Sequence, residues 1–379
     1  MMIGVPKETL NGETRVAIIP ALVSHLMRDK HQVLIESGAG AAASFSDDAY
    51  TAAGAGIVSD ARTLYAESDL VLKVQPPTVA EAQLLREGSS YAGFLAPLAH
   101  RDVVRVFVRR RVTAFSMEYV PRITRAQSMD ALSSMATVAG YKAVLLAANI
   151  LDKMFLLMMT AAGTVPPATV LVLGVGVAGL QAIATAKRLG AKVEAFDPRP
   201  AVKEQVRSLG AAFIDMEIME GVETAGGYAK EQSEAFLQKE REVIAARLPK
   251  VDAVISTAQV FGKRAPILLT TDMVSLMRRG SVIVDLAAEQ GGNCELTEAG
   301  TTVTHNGVTI IGAVNLPATI PYHASQMYAK NIVTLVQHLY PKGNPQPDFN
   351  DEIVKGCCIT HNGEITNDAL RTALEQGGN

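Results

Sequence analysis

Up to Met117, short apolar runs alternate with amphipathic stretches. Met2–Val5, Gln32–Glu36, Asp69–Val74, Tyr91–Leu95 and Val112–Met117 read as buried strands, and residues 20–29, 79–86 and 101–110 between them carry a helical period. Such alternation with short connections predicts a parallel sheet covered by helices. Residues 126–151 then form a long helical pattern rich in small side chains. Further strands are predicted at Thr169–Leu173, Lys192–Phe196, Ala212–Asp215, Ala253–Thr257, Ser281–Leu286 and Thr309–Gly312. T-H-N-G-V at 304–308 carries the Asn-Gly signal of a tight hairpin. A second long helix is predicted over 321–340, returning the chain to the first domain, and the polar tail 341–379 holds one strand pair around His361–Gly363.

The pattern predicts an α/β protein: two Rossmann-like doubly wound parallel-sheet domains joined by long bridging helices. The first domain takes residues 1–125 plus 325–379, and the nucleotide-binding one takes 126–324. A length of 379 residues suits two or three domains. The net charge of -3 gives no electrostatic reason to expect nucleic acid. The start, M-M-I-G-V-P-K-E, lacks the basic and apolar regions of a signal peptide. Tyr141–Leu173 is the most apolar region, but Asp152–Lys153 interrupts it and Pro166–Pro167 ends it. That predicts a buried helix, a loop and a core strand rather than a span of about 20 apolar residues. Cys294, Cys357 and Cys358 have no metal-ligand spacing and read as reduced thiols of a cytosolic protein, and the seven histidines show no metal motif.

The strongest chemical signal runs from Thr169 to Asp197. A β-branched strand enters a turn containing Gly174, Gly176 and Gly179; an Ala-rich helix follows and stops at Gly190; a second strand ends in Asp197. Gly174 permits the tight turn, Gly176 lets backbone approach a pyrophosphate, and Gly179 lets the helix pack closely. The helix N-terminus offers N–H groups and a positive dipole end to phosphates. Asp197 is placed to accept hydrogen bonds from the adenosine ribose. Its charge would repel a 2′-phosphate, which favours NAD over NADP, although Arg199 nearby could pair with one. Ser37–Ala43, S-G-A-G-A-A-A, looks like a second phosphate loop but reads as structural, because no helix of useful length follows it.

Three more segments stand out. P-R-I-T-R-A-Q-S-M-D-A-L-S-S (121–134) gathers polar groups where a strand ends, the place where open sheets bind ligands; as plain structure, Thr124 and Gln127 fit a capping box. E-T-A-G-G-Y-A-K (223–230) has the glycines and the aromatic of a closing loop, or of an ordinary surface loop. D-L-A-A-E-Q-G-G-N-C (285–294) could line the nicotinamide end of a site or simply turn the chain. No nucleophile–base or paired-carboxylate arrangement is legible. A dehydrogenase acting on an alcohol or amine needs a proton acceptor, whereas hydride transfer between two nicotinamides needs only apposed rings and excluded water.

Together with T-A-A-G-T-V-P-P-A, K-E-Q-V-R-S-L-G and G-V-G-V-A-G-L-Q-A-I-A-T-A-K-R-L-G-A, these segments give a chain that resembles, over essentially its whole length, the NAD(H)-binding component (domain I) of proton-translocating nicotinamide nucleotide transhydrogenase. The resemblance implies two Rossmann-like domains flanking a cleft, a homodimer, and NAD(H) on the second domain. It also implies partners: a separate NADP(H)-binding component, and a membrane proton-channel component that couples hydride transfer to proton movement. It places Arg122, Gln127, Asp130 and Ser133 at the nicotinamide end, with Gln127 nearest the incoming NADP(H) component. Gly174, Gly176, Val177, Gly179, Asp197, Pro198, Arg199, Gly227, Tyr228, Ala258 and Gln259 would hold NAD(H), with Tyr228 on the mobile loop. Where relatives have T-A-L-I-P-G-K-P-A-P, this chain has T-A-Q-V-F-G-K-R-A-P (257–266), so Gln259, Phe261 and Arg264 alter the lining. The absence of membrane helices resembles the split type, in which this component is its own subunit on the cytoplasmic face of the inner membrane; a shortened chain would read the same.

Alanine dehydrogenase shares this layout. Arg15 and Lys73 could match its substrate-binding basic residues, but Phe94 stands where its histidine is expected, and Glu289 is only a partial match for its acid. A nucleotide-sensing protein without chemistry of its own is the alternative from another class.

Overall fold

The computed structural model describes residues 1–216, 233–260, 263–344 and 346–376. The chain forms two compact units, Met1–Met135 with Pro317–Asn379 and Ala136–Leu316. The division thus falls at 135/136 and 316/317, where the sequence pattern predicts 125/126 and 324/325.

Unit 1 begins with β1 (Met2–Val5), α1 (Pro20–Arg28), β2 (Gln32–Glu36), α2 (Asp47–Ala52), β3 (Gly56–Val58), α3 (Ala61–Glu67) and β4 (Leu70–Leu72). It continues through α4 (Val79–Leu84), β5 (Ser90–Gly93), α5 (Arg101–Arg109) and β6 (Thr113–Ser116). The strands pair in parallel in the order β3-β2-β1-β4-β5-β6. Ile3, Val5, Leu70, Val71 and Leu72 are fully buried, which is why these strands read as unbroken apolar runs. The order reverses between β1 and β4, as in a doubly wound sheet. The sequence pattern does not announce α2, β3 and α3; β3 is only three residues long and no residue in it is fully buried.

A polar 3-10 turn, Thr124–Met129, leads into α6 (Ala131–Ile150). This helix starts in unit 1 and runs into unit 2. By length and composition alone it could cross a membrane, but Ala143, Val144 and Ala147 pack into the core of unit 2. The loop expected after it is instead a hairpin, β7 (Met158–Thr160) with β8 (Gly163–Val165). Met159 is 82% exposed there, so the apolar character of this stretch does not come from burial.

Unit 2 then runs β9 (Thr169–Leu173), α7 (Val177–Arg188), β10 (Lys192–Phe196), α8 (Lys203–Ser208), β11 (Ala212–Phe213), α9 (Glu234–Ala245) and β12 (Ala253–Ser256). It ends with α10 (Thr271–Val274), β13 (Val282–Asp285), β14 (Thr302–His305) and β15 (Val308–Gly312). The sheet order is β11-β10-β9-β12-β13-β15-β14, parallel except for β14. It reverses between β9 and β12. Asn306 (φ 50°) and Gly307 (φ 80°) form the two-residue β14–β15 turn, with both φ positive as a type I′ turn requires.

The chain returns to unit 1 with α11 (Pro321–Leu339), α12 (Glu352–Cys357), β16 (Cys358–His361), β17 (Glu364–Ile365) and α13 (Asp368–Gln376). α11 lies wholly in unit 1 and buries Tyr328, Ile332, Leu335 and Val336, so of the two helices expected to bridge, only α6 crosses the division. β16 adds antiparallel to β6.

Candidate nucleotide site

The glycine turn of unit 2 sits at the C-terminal end of β9, beside the reversal of strand order, where open α/β sheets bind ligands. Gly174 has φ 87°, a conformation that L side chains rarely adopt. Gly176 is the residue before α7, with no side chain capping the helix, and a Cβ there would meet nothing within 4 Å. Gly179 is the opposite case: its Cβ would lie 2.0 Å from the Gly174 carbonyl oxygen. Backbone therefore packs on backbone at Gly179, while the helix N-terminus at Gly176 and Val177 is open to an approaching anion. Residues of this kind fit a dinucleotide pyrophosphate.

Asp197 follows β10, is 5% exposed, and faces this turn. Its Oδ2 accepts a 2.7 Å hydrogen bond from the Val175 N–H. Arg199 folds back onto it, donating from its backbone N–H (2.9 Å) and Nε (2.8 Å) to Oδ1, and from Nη2 (2.9 Å) to Oδ2. Pro198 links the two. The guanidinium that could have met a 2′-phosphate is thus committed to the carboxylate.

The segment after β12 forms the other wall. Thr257 donates through Oγ1 to the Gly174 carbonyl at 2.9 Å. Ala258 is pinned on both backbone groups by Asn293, whose Oδ1 accepts from the Ala258 N–H and whose Nδ2 donates to its carbonyl. Asn293 is fully buried, and its own N–H donates to Asp285 Oδ2. Asp285 also accepts from Ala287, Cys294 and Thr297. The 285–294 segment therefore acts as a clamp on the nucleotide-lining segment, a task that spacing alone does not reveal. Gln259 is exposed and donates to the Leu286 carbonyl, and Arg264 is exposed, lying against Gly291. Gly227, Tyr228 and Phe261 lie outside the described residues.

Arg122, Gln127, Asp130 and Ser133 belong to unit 1 and are described there by themselves. The capping box predicted at Thr124 and Gln127 does not form; no side chain caps that turn. Asp130 acts instead, accepting from Ser133 N–H (2.8 Å) and Oγ (2.6 Å) at the start of α6. The cap sits one turn later because the chain first tightens into the 3-10 turn. Ala126 and Met129 are buried, and Asn331 of α11 donates to the Ser128 carbonyl, so the segment is held from below while Arg122 and Gln127 are exposed.

The two basic residues that an amino-acid substrate would require are engaged internally. Arg15 grips Glu13 with Nε (2.8 Å) and Nη2 (2.5 Å), and Gln75 also donates to Glu13. Burial alone would raise the Glu13 carboxyl; Arg15 and Gln75 hold it down at about 2. Lys73, 1% exposed, sits 2.9 Å from Glu81 and 3.3 Å from Glu8. Phe94 packs on Tyr328 with ring centroids 5.4 Å apart. Cys294, Cys357 and Cys358 are all buried free thiols.

The family descriptions "Alanine dehydrogenase/PNT, N-terminal domain" and "Alanine dehydrogenase/PNT, C-terminal domain" match residues 4–139 and 143–368. An NAD(P) transhydrogenase subunit alpha of Rhodospirillum rubrum, the first piece of a divided subunit, is 49% identical over 98% of this chain and 99% of its own length. An alanine dehydrogenase of Methanococcus maripaludis is 30% identical over 98% of this chain and 96% of its own. Among solved structures, a transhydrogenase from Sinorhizobium meliloti superimposes with a TM-score of 0.86 at 40% identity, covering 97% of this chain and all of that one. The chain belongs to the alanine dehydrogenase/PNT family and, within it, to the NAD(P) transhydrogenase alpha subunits.

Proposed function

We propose that this chain binds NAD(H) at the glycine turn of unit 2 and exchanges a hydride with NADP(H) held on a separate component, with a membrane component coupling the exchange to proton translocation. The observation that carries the nucleotide reading is the open backbone at Gly176, at the head of α7, with the Asp197 carboxylate hydrogen-bonded to the same turn. Gly176 and Val177 receive the pyrophosphate. Asp197, Pro198 and Arg199 hold the adenosine ribose, and Ala258 and Gln259 line the nucleotide. Arg122, Gln127, Asp130 and Ser133 serve the nicotinamide end. The nicotinamide supplies the hydride; the task of the protein is to bind, orient and exclude water. Amino-acid dehydrogenation is disfavoured by the internal pairing of Arg15 and Lys73 and by Phe94.

The reading also includes a homodimer and a position at the cytoplasmic face of the inner membrane. Met154, Leu156, Leu157 and Met159 are exposed near the β7–β8 hairpin and offer an apolar surface for a second copy.

The test is hydride exchange between NADH and an NADP analogue after addition of an NADP(H)-binding transhydrogenase component. Steady NADH loss with pyruvate and ammonium in place of that component would sink the reading. Asp197→Ala is expected to weaken NADH binding by about 1.5–3 kcal/mol, the worth of a hydrogen bond to a charged group; unchanged affinity by titration would refute the ribose role. Gln127→Asn is expected to slow exchange while NADH affinity stays within about twofold, because the residue acts by positioning. Equal loss in both would make it an ordinary binding residue.

A further inference from the structure

Helix α9 buries one stripe against the sheet of unit 2. Its buried residues are Phe236, Glu240 and Ile244, spaced four apart on a single face. Phe236 and Ile244 are what that face requires; Ile244 joins Leu171, Leu173, Phe196 and Ile214 in the core under β9 and β10. Between them stands an acid. Glu240 is 3% exposed and has no hydrogen-bond partner or salt bridge among the described residues. An unpaired buried carboxylate is costly, and a group left so in a folded protein calls for an explanation.

Its surroundings supply one. Glu240 lies within electrostatic reach of Asp197, the acid of the nucleotide turn, which disfavours a second negative charge there. Burial is the largest influence on it, the Asp197 charge adds to it, and Arg241 opposes both; together they push the Glu240 carboxyl up to about 8. Arg241 is turned outward, bonding Glu234 and the Ile267 carbonyl. The other charged groups on the neighbouring elements are already paired: Arg199 with Asp197, Lys203 with Asp215, and Lys192 and Arg247 with Glu194. At neutral pH Glu240 is therefore a carboxylic acid, a hydrogen-bond donor with no acceptor among the described residues, beside the residue assigned to the ribose.

We propose that Glu240 is an unassigned nucleotide-contacting residue, which enters the adenosine end of the site as a neutral acid and donates its proton to an acceptor on the adenosine moiety of NAD(H). This rests on the nucleotide reading above and adds a second acid, with the opposite hydrogen-bonding role, to Asp197. The ionised form accepts only, and it places a second charge beside Asp197. NAD(H) binding must therefore be linked to proton uptake.

The experiment is NADH titration of the full chain between pH 7 and 9.5, with calorimetry at pH 8 in two buffers of different ionisation enthalpy. Wild type should bind about tenfold more weakly at pH 9 than at pH 7, the ratio expected for a group titrating near 8, and should take up a fraction of a proton on binding. Glu240→Gln, which keeps the shape and a donor, should bind within twofold of wild type at pH 7, show a flat profile, and take up no proton. Glu240→Ala should lose affinity at every pH. A flat wild-type profile, or a Gln variant that keeps the wild-type slope, overturns the proposal. So does a pH effect confined to thermal stability, which is what a merely structural buried acid would show. Asp197→Ala separates the two levels: unchanged NADH affinity there removes the nucleotide reading itself, whereas lost affinity beside an unaltered Glu240→Gln slope removes only this one. Failure of the wild-type chain to bind NADH overturns both.

Discussion

Lys73→Met is expected to lower the stability of the protein by about 3–5 kcal/mol, the cost of breaking a buried ion pair by removing one partner. Lys73 is the cation shared by Glu8 and Glu81, and all three side chains are nearly inaccessible, so water cannot take its place. Glu8 also accepts from the Val74 N–H, and Glu81 caps α4 through Thr78, so the strain of an uncompensated charge would spread to the ends of β1 and β4. The pH dependence gives a second signature. In the wild type, Glu13 is held at about 2, below the 4.5 of a free glutamate, and its contribution is present above 4.5 and lost as the pH falls toward 2. In the variant, Glu8 and Glu81 lack their cation and bind protons more tightly folded than unfolded. The deficit relative to wild type should therefore shrink as the pH is lowered from 7 to 5. Urea unfolding followed by circular dichroism reads both; a loss under 1 kcal/mol, or a deficit that grows with acid, would refute this account of the cluster.

The second large effect is a contrast between two glycines of one turn. Gly179→Ala drives a methyl to 2.0 Å from the Gly174 carbonyl oxygen and toward Thr257 Oγ1 at 3.4 Å, so the turn must open. Overpacking of this kind costs about 1–3 kcal/mol, and NADH affinity should fall by more than tenfold with it. Gly176→Ala meets no protein atom within 4 Å and has an ordinary φ of -79°, so stability should stay within about 0.5 kcal/mol. Its methyl would nevertheless stand where the pyrophosphate approaches the backbone, so NADH binding should weaken. Thermal unfolding and NADH titration on the same samples separate the two, and full affinity in the Gly176 variant would show that no ligand approaches there.

What could be read from the sequence was local. The glycine turn, its acid and the Asn306–Gly307 hairpin each depend on the backbone conformation of a few adjacent residues, and glycine and asparagine announce such conformations directly. The strands fully buried on both faces were legible for the same reason, as apolar runs. Pairings across long separations were not. Nothing at Lys73 indicates Glu8, and nothing at Asn293 indicates Ala258. The β7–β8 hairpin was obscured because its apolar side chains face outward, and helix α9 because an acid interrupts its buried stripe. At Thr124 the capping signature was present, but the chain tightened first and Asp130 took the role.

The fork that Arg199 presents to Asp197, two N–H donors on two carboxylate oxygens, has the same donor pattern as the two hydroxyls of a ribose. The protein thus carries an internal mimic of the group it is proposed to hold. Ligand entry at this acid is an exchange of one donor pair for another, so the heat released there should be small and the affinity set by what the displaced guanidinium finds next. The same mimic keeps the carboxylate ionised, oriented and shielded from water between turnovers, so that no reorganisation of the acid is needed when the next nucleotide arrives.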